Sequence, residues 1–279
     1  MPTIQASDVS LYYEEAGSGV PILFIHEMAG DWRSWEPQMR HFSRSHRCIT
    51  YSARGYHPSS VPDQVEAYSQ KHAAADALAV LDGLGIEKAH IVGLSMGSYA
   101  TVQFGLDYPE RALSLTIVGC GSGTELATYA HSQARYHAMG DAILQGGFAE
   151  FVESYSTGPY RQPFLRKDVR GWTEFQQRLA EHSAQGTAFT LKGVQGQRPS
   201  LYTLKEELSQ IPVPALVVTG DVDTPCIAPS VYLSQTIPDA GLWVLPRTGH
   251  TVNLEEPELF NRVVGEFLAD SERKALKPL

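Results

Sequence analysis

Five consecutive residues, Gly93-Leu94-Ser95-Met96-Gly97, have the types and spacing to carry nucleophilic chemistry. They join a buried-strand pattern, Ala89-His90-Ile91-Val92-Gly93-Leu94, to a helical pattern from Met96 to Asp107. A serine on such a strand-to-helix turn must take a strained backbone conformation, and flanking glycines let neighbouring backbone pass close by. The turn exposes the hydroxyl at the sheet edge and sets the next amide at a helix N-terminus, where developing negative charge is stabilised. A serine hydroxyl is a poor nucleophile at neutral pH, so this chemistry also requires a base. The competing role for Ser95 is that of a helix N-cap. Metal and thiol chemistry have little support. His26-Glu27 lacks the second histidine of an H-E-x-x-H motif, and Cys48, Cys120 and Cys226 are too far apart for a C-x-x-C pair.

The serine needs a sheet to hold it. Pro21-Ile22-Leu23-Phe24-Ile25 is apolar and rich in strand formers, as suits a strand buried on both faces. Further strands are predicted at Val9–Tyr13, Cys48–Tyr51, Leu113–Val118, Ala215–Thr219 and Leu242–Leu245. Helical spacing of apolar residues covers Trp32–Arg44, Tyr68–Leu84 and Pro257–Ala269, while the charged stretch Glu272–Leu279 is expected to fray. This alternation implies βαβ units: an α/β fold with a mainly parallel central sheet flanked by helices.

Between Gly121 and Glu207 the pattern is polar, aromatic-sprinkled and helical, with helices expected at Glu125–Leu144, Phe148–Tyr155 and Trp172–Ser183. We therefore divide the 279 residues into one core, 1–120 and 208–279, and a helical cap, 121–207. Subtracting 31 acidic from 22 basic residues gives a net charge of −9, which disfavours nucleic acid and anionic membrane surfaces as partners. No apolar run is long enough to span a membrane. Three dispersed cysteines and the absence of a leader-like start give a reducing, cytoplasmic compartment as the expectation.

The strand–Gly-x-Ser-x-Gly–helix arrangement resembles the α/β-hydrolase superfamily, and the likeness covers nearly all of the chain outside the insertion. Gly220-Asp221-Val222-Asp223-Thr224-Pro225 is similar to the family's acid loop, which implies Asp223 as the catalytic acid; Asp221 is the other candidate. Thr248-Gly249-His250 matches the histidine loop, so His250 is implied as the general base. His26-Glu27-Met28-Ala29-Gly30 stands where the family has His-Gly and its oxyanion loop, implying the backbone N–H groups of Met28 and Met96 as oxyanion donors and a bracing role for His26.

Two departures stand out. Glu27 replaces the usual glycine; its side chain is expected either to turn toward solvent or a loop partner, or to contact a polar part of the substrate. Ser52-Ala53-Arg54-Gly55-Tyr56-His57-Pro58-Ser59 has serine in place of a common aspartate, a change expected to affect loop bracing more than chemistry.

The resemblance implies hydrolysis of an ester-type bond through an acyl-enzyme on Ser95, without cofactor or metal. The partner implied is a small molecule with an ester, lactone or activated ketone group. Lactone or enol-lactone opening and carbon–carbon cleavage of a diketone are the alternatives within the family. A ligand-binding receptor with weak or no turnover is the alternative of another class. Aromatics of the insertion, each individually suited to packing, are expected collectively to line the pocket.

Overall fold

The computed structural model describes residues 1–276, with side chains to 274. An eight-stranded sheet has the order β1-β2-β4-β3-β5-β6-β7-β8. The strands are β1 (Thr3–Ala6), β2 (Val9–Ala16), β3 (Val20–Ile25), β4 (His46–Tyr51), β5 (Ala89–Leu94), β6 (Ala112–Val118), β7 (Ala215–Gly220) and β8 (Ala240–Leu245). The pairs β1–β2 and β2–β4 are antiparallel, and every pairing from β4 to β8 is parallel. β5, inside the parallel part of the sheet, is buried along its whole length, which is why its sequence lacks an alternation of apolar and polar residues; its one polar side chain, His90, is hydrogen-bonded to Ser114. β1 was not foreseen, because four residues with only Ile4 and Ala6 facing inward carry too short an alternation.

Helices α1 (Glu36–Phe42), α2 (Gln70–Gly83) and α3 (Met96–Asp107) connect the first parallel strands. Between β6 and β7 the chain runs through α4 (Tyr129–Leu144), α5 (Phe148–Ser156), α6 (Gln162–Lys167), α7 (Val169–Ala180), α8 (Ala184–Phe189), a π-helical turn (Thr190–Gln195) and α9 (Lys205–Leu208). Then come α10 (Thr224–Thr236), α11 (Val252–Glu255) and α12 (Pro257–Leu276). Two apolar clusters cover the two faces of the sheet, one built with α2, α3 and α10, the other with α1 and α12. A third joins Met28, Tyr56 and Met96 to Phe151, Phe164 and Phe175 of the β6–β7 segment.

The C-terminal stretch corrects one expectation. Helix α12 continues to Leu276 instead of fraying from Glu272. Glu272 lies 3.1 Å from His46 and 3.4 Å from His90, and Lys274 pairs with Asp239 at 3.0 Å. Residues 277–279 of that stretch lie outside the described residues.

Candidate active site

Ser95 follows β5 directly and stands at the N-cap position of α3 with φ 56° and ψ −110°, a positive-φ conformation that costs energy in a non-glycine residue. The close approaches around it explain its neighbours. A Cβ on Gly93 would stand 2.1 Å from the Gly97 carbonyl, and one on Gly97 would stand 2.1 Å from the Ile25 carbonyl. The N-cap role does not describe the Ser95 side chain, which makes no capping hydrogen bond; Ser98 Oγ donates to the Ser95 carbonyl instead. Ser95 Oγ lies 2.8 Å from His250 Nε2, and His250 Nδ1 lies 2.7 Å from Asp223 Oδ2. Ser95 is half-buried, whereas Asp223 and His250 are buried. Asp221 is exposed and accepts from the Thr248 amide at 3.2 Å, so it braces the histidine loop and does not meet the imidazole.

The three loops leave the carboxyl ends of parallel strands: Ser95 after β5, Asp223 after β7 and His250 beyond β8. The carboxyl edge of such a sheet is where ligands meet this kind of fold. Glu255, which sequence reasoning missed, fastens the histidine loop. Its carboxylate accepts from the Gly249 amide at 2.7 Å, from the Thr251 amide at 3.1 Å and from the Thr251 hydroxyl at 3.2 Å, so it clamps both amides flanking His250. The signal was local: a glutamate five positions after the histidine, at the end of one helical turn.

The loop after β3 is fastened from several sides. His26 Nε2 accepts from the Ala53 amide at 3.0 Å while Nδ1 donates to the Glu27 carbonyl at 2.7 Å, which assigns the proton to Nδ1. Burial lowers the His26 pKa and keeps the ring neutral. Tyr56 donates to the Met28 carbonyl at 2.5 Å. The loop that presents Tyr56 is held by a buried two-point pair, Arg54 Nε and Nη2 each 2.7 Å from Asp76, and by Ser59 donating to the Ser52 carbonyl at 2.6 Å. Bracing is therefore what the altered 52–59 loop supplies. Met28 and Met96 are both buried, and Met28 lines the cavity over Ser95.

Glu27 takes the loop-partner placement among those its sequence context suggested, and meets neither solvent nor the cavity. It is fully buried, does not line the cavity, and pairs with Arg161, also fully buried, at 3.0 Å. Arg161 stacks over Phe175 at 3.9 Å and lies 5.6 Å from the Tyr155 ring. A carboxylate in this interior needs a cation more than it needs solvent, and the β6–β7 segment brings one.

The cavity at Ser95 has a volume of about 150 Å³ and is lined by Met28, Tyr136, Tyr155, Tyr160 and Leu191, among others. Of the insertion's aromatics, only these three tyrosines line it; Phe151, Phe164 and Phe175 pack in the cluster behind. The Tyr160 ring lies 5.0 Å from that of His250, and burial pushes its hydroxyl up to about 12. Asp223, Cys226 and His250 bring ligand-type atoms within 4.8 Å of one another. Both imidazole nitrogens face protein partners, however, and burial, with Asp223 beside it, pushes the Cys226 thiol well above its ordinary value. A protonated thiol is a poor metal ligand, so this donor set suits hydrogen bonding better than coordination.

No described helix is long and apolar enough to cross a membrane. The chain is 26% identical over 265 residues to 3-oxoadipate enol-lactonase 1 of Acinetobacter baylyi, covering 95% of this chain and 94% of that one. It is 28% identical over 274 residues to a 2-hydroxy-6-oxononadienedioate/2-hydroxy-6-oxononatrienedioate hydrolase of Comamonas testosteroni, covering 95% and 93%. The fold superposes on a thermophilic esterase from Thermogutta terrifontis with a TM-score of 0.86 at 22% identity, over 97% and 98% of the two chains. A family model described as alpha/beta hydrolase fold matches residues 20–257, a span that runs from β3 through the serine, acid and histidine loops to the start of α12. By fold, by the order of those loops and by this match, the chain belongs to the alpha/beta hydrolase family.

Proposed function

We propose that the protein is a serine hydrolase that cleaves a carboxylic ester-type bond through an acyl-enzyme on Ser95. The observation that carries this reading is the unbroken hydrogen-bonded line from Asp223 through His250 to Ser95, at 2.7 and 2.8 Å. In the reaction, Ser95 Oγ attacks the substrate carbonyl while His250 Nε2 takes the hydroxyl proton. Asp223 accepts from Nδ1–H and stabilises the imidazolium. The N–H groups of Met28 and Met96 receive the oxyanion; losing one such donor costs about 10²–10³ in turnover in serine hydrolases. His250 returns the proton to the leaving alkoxide, and water, activated by the same imidazole, releases the acid.

Residues 121–207 act as a cap that closes over Ser95 and excludes water, a role supported by the apolar cluster joining this segment to Met28 and Met96. The same catalytic line serves an enol-lactone or a vinylogous diketone. The named relatives favour including both in the substrate panel, because one is an enol-lactonase and the other a hydrolase of a dienedioate.

Ser95→Ala tests the reading. On short activated esters kcat should fall by about 10⁴–10⁶, with the melting temperature held within about 2 °C. Retained turnover would assign the nucleophile elsewhere. Wild-type protein without turnover on esters, lactones and diketones would instead support the receptor alternative.

A further inference from the structure

The cavity over Ser95 reverses the charge of the molecule around it. Against a net charge of −9, its lining includes Arg135 and Arg198 and, among the described residues, no aspartate or glutamate. Arg198 follows the π-helical turn on the way back to the core and is only 5% exposed. Three arginines are buried among the described residues. Arg54 is paired with Asp76 and Arg161 with Glu27, but no carboxylate of the described residues lies within 4.0 Å of Arg198. Its guanidinium stacks 3.7 Å from the Tyr99 ring, and Nη2 donates to the Ser122 carbonyl. These contacts orient the charge without neutralising it, and a buried cation without a counter-ion is costly.

Its position matters as much as its charge. Tyr99 sits one helical turn beyond Ser95, its amide donating to the Ser95 carbonyl. Ser122 Oγ lies 2.8 Å from the Tyr160 hydroxyl, and Tyr160 packs on His250. Arg198 is thus linked to both ends of the reacting pair through one or two intervening residues, Tyr99 on one side and Ser122 and Tyr160 on the other. Arg198 also borders a second cavity of about 770 Å³, but that lining includes Glu207 and Lys71 and has no comparable excess of positive charge.

We infer that Arg198, assisted by the exposed Arg135, is the counter-ion for a carboxylate carried by the substrate. The site takes an ester or lactone whose acyl part bears an anionic end. A planar guanidinium fork matches a carboxylate in geometry as well as charge. The turnover part of this inference rests on the serine-hydrolase reading above; the binding part does not.

Two matched substrates test it: the p-nitrophenyl monoester of glutaric acid, and p-nitrophenyl valerate, which has a methyl group in place of the carboxylate. Wild-type protein should favour the glutarate ester by about 10- to 100-fold in kcat/KM, mainly through KM, with the advantage shrinking in about 0.5 M NaCl. Arg198→Met should bring the ratio close to one, and Arg198→Lys should restore part of it. Equal rates in wild type, or a ratio that Arg198→Met leaves unchanged, would overturn the inference. If Arg198→Met does not fold, the wild-type ratio and its salt dependence decide.

Titration calorimetry of Ser95→Ala with glutarate supplies the arm that needs no turnover. Binding that disappears in Ser95→Ala/Arg198→Met supports the carboxylate site, and no binding to Ser95→Ala refutes it. Glutarate binding by a protein that hydrolyses neither ester would overturn the hydrolase reading alone.

Discussion

Replacing Arg161 with methionine isolates the most consequential contact between the β6–β7 segment and the loop after β3. Arg161 and Glu27 are both fully buried and 3.0 Å apart. The substitution leaves the Glu27 carboxylate in the interior without its cation, a change that costs about 3–5 kcal/mol. Glu27→Ala leaves the guanidinium unpaired but still stacked on Phe175 at 3.9 Å, and such a stack is worth about 0.5–2 kcal/mol, so its cost is smaller. The pair itself is incompletely satisfied. Glu27 Oε2 and Arg161 Nε and Nη1 have no hydrogen-bond partner among the described residues. Removing both charges together therefore costs much less than the sum of the single changes.

Urea unfolding of the wild type, both single variants and the double variant measures the cycle. Arg161→Met should lower the unfolding free energy by about 3–5 kcal/mol, which a thermal scan reads as a fall in melting temperature of roughly 6–10 °C, and the double variant should recover at least about 2 kcal/mol relative to additivity. Single changes below about 1 kcal/mol that add without coupling would refute the idea that a buried ion pair ties the two segments together.

Two further perturbations probe different elements. Glu255→Gln removes one of the two carboxylate oxygens that hold the amides flanking His250. We expect kcat to fall by about 10–100-fold with KM little changed and stability lowered by about 1–3 kcal/mol; an unchanged kcat would show that the loop holds His250 without the clamp. His90 sits fully buried on β5, its Nδ1 2.7 Å from Ser114 Oγ, and burial lowers its pKa to about 4 despite the nearby Glu272. The unfolded chain binds this proton from about pH 6.5 downward whereas the folded chain does not, so stability present above pH 6.5 is lost as pH falls toward 4. The loss attributable to His90 should be on the order of 2–3 kcal/mol by pH 4, and His90→Gln should flatten that part of the pH–stability curve. A slope unaffected by His90→Gln would assign the acid sensitivity to other groups.

What the sequence discloses is mainly what lies within one strand–turn–helix unit. The run into Ser95 and the helix Met96–Asp107 are readable because burial on both faces, the glycine spacing and the helical period all fall within twenty residues. The parallel strands are readable for the same reason, with bounds shifted by at most two residues. The β6–β7 segment is less so: α6 and α8 have six residues each, too few for a periodic signal, and the π-helical turn has no sequence signature. The contacts that set the electrostatics are hardly visible at all. Glu27 and Arg161 are 134 positions apart, and nothing around either predicts the other. The acidic composition likewise hides the positive cavity wall, because Arg198 is one of 22 basic residues until the fold places it beside Tyr99 and Ser122.

The sheet order also determines how the site comes apart. Ser95 rides on β5, which is hydrogen-bonded on both sides and wholly buried, whereas His250 follows β8, an edge strand with Leu242 and Val244 exposed. Amide protons of β5 are thus placed among those that exchange only on global opening, and those of β8 among the ones released by local opening. Fraying of that edge separates the proposed base from the proposed nucleophile while most of the core persists. Inactivation by mild heat or denaturant should accordingly run ahead of the loss of helical signal, and a ligand that bridges Ser95 and His250 should protect the edge strand more than the centre of the sheet.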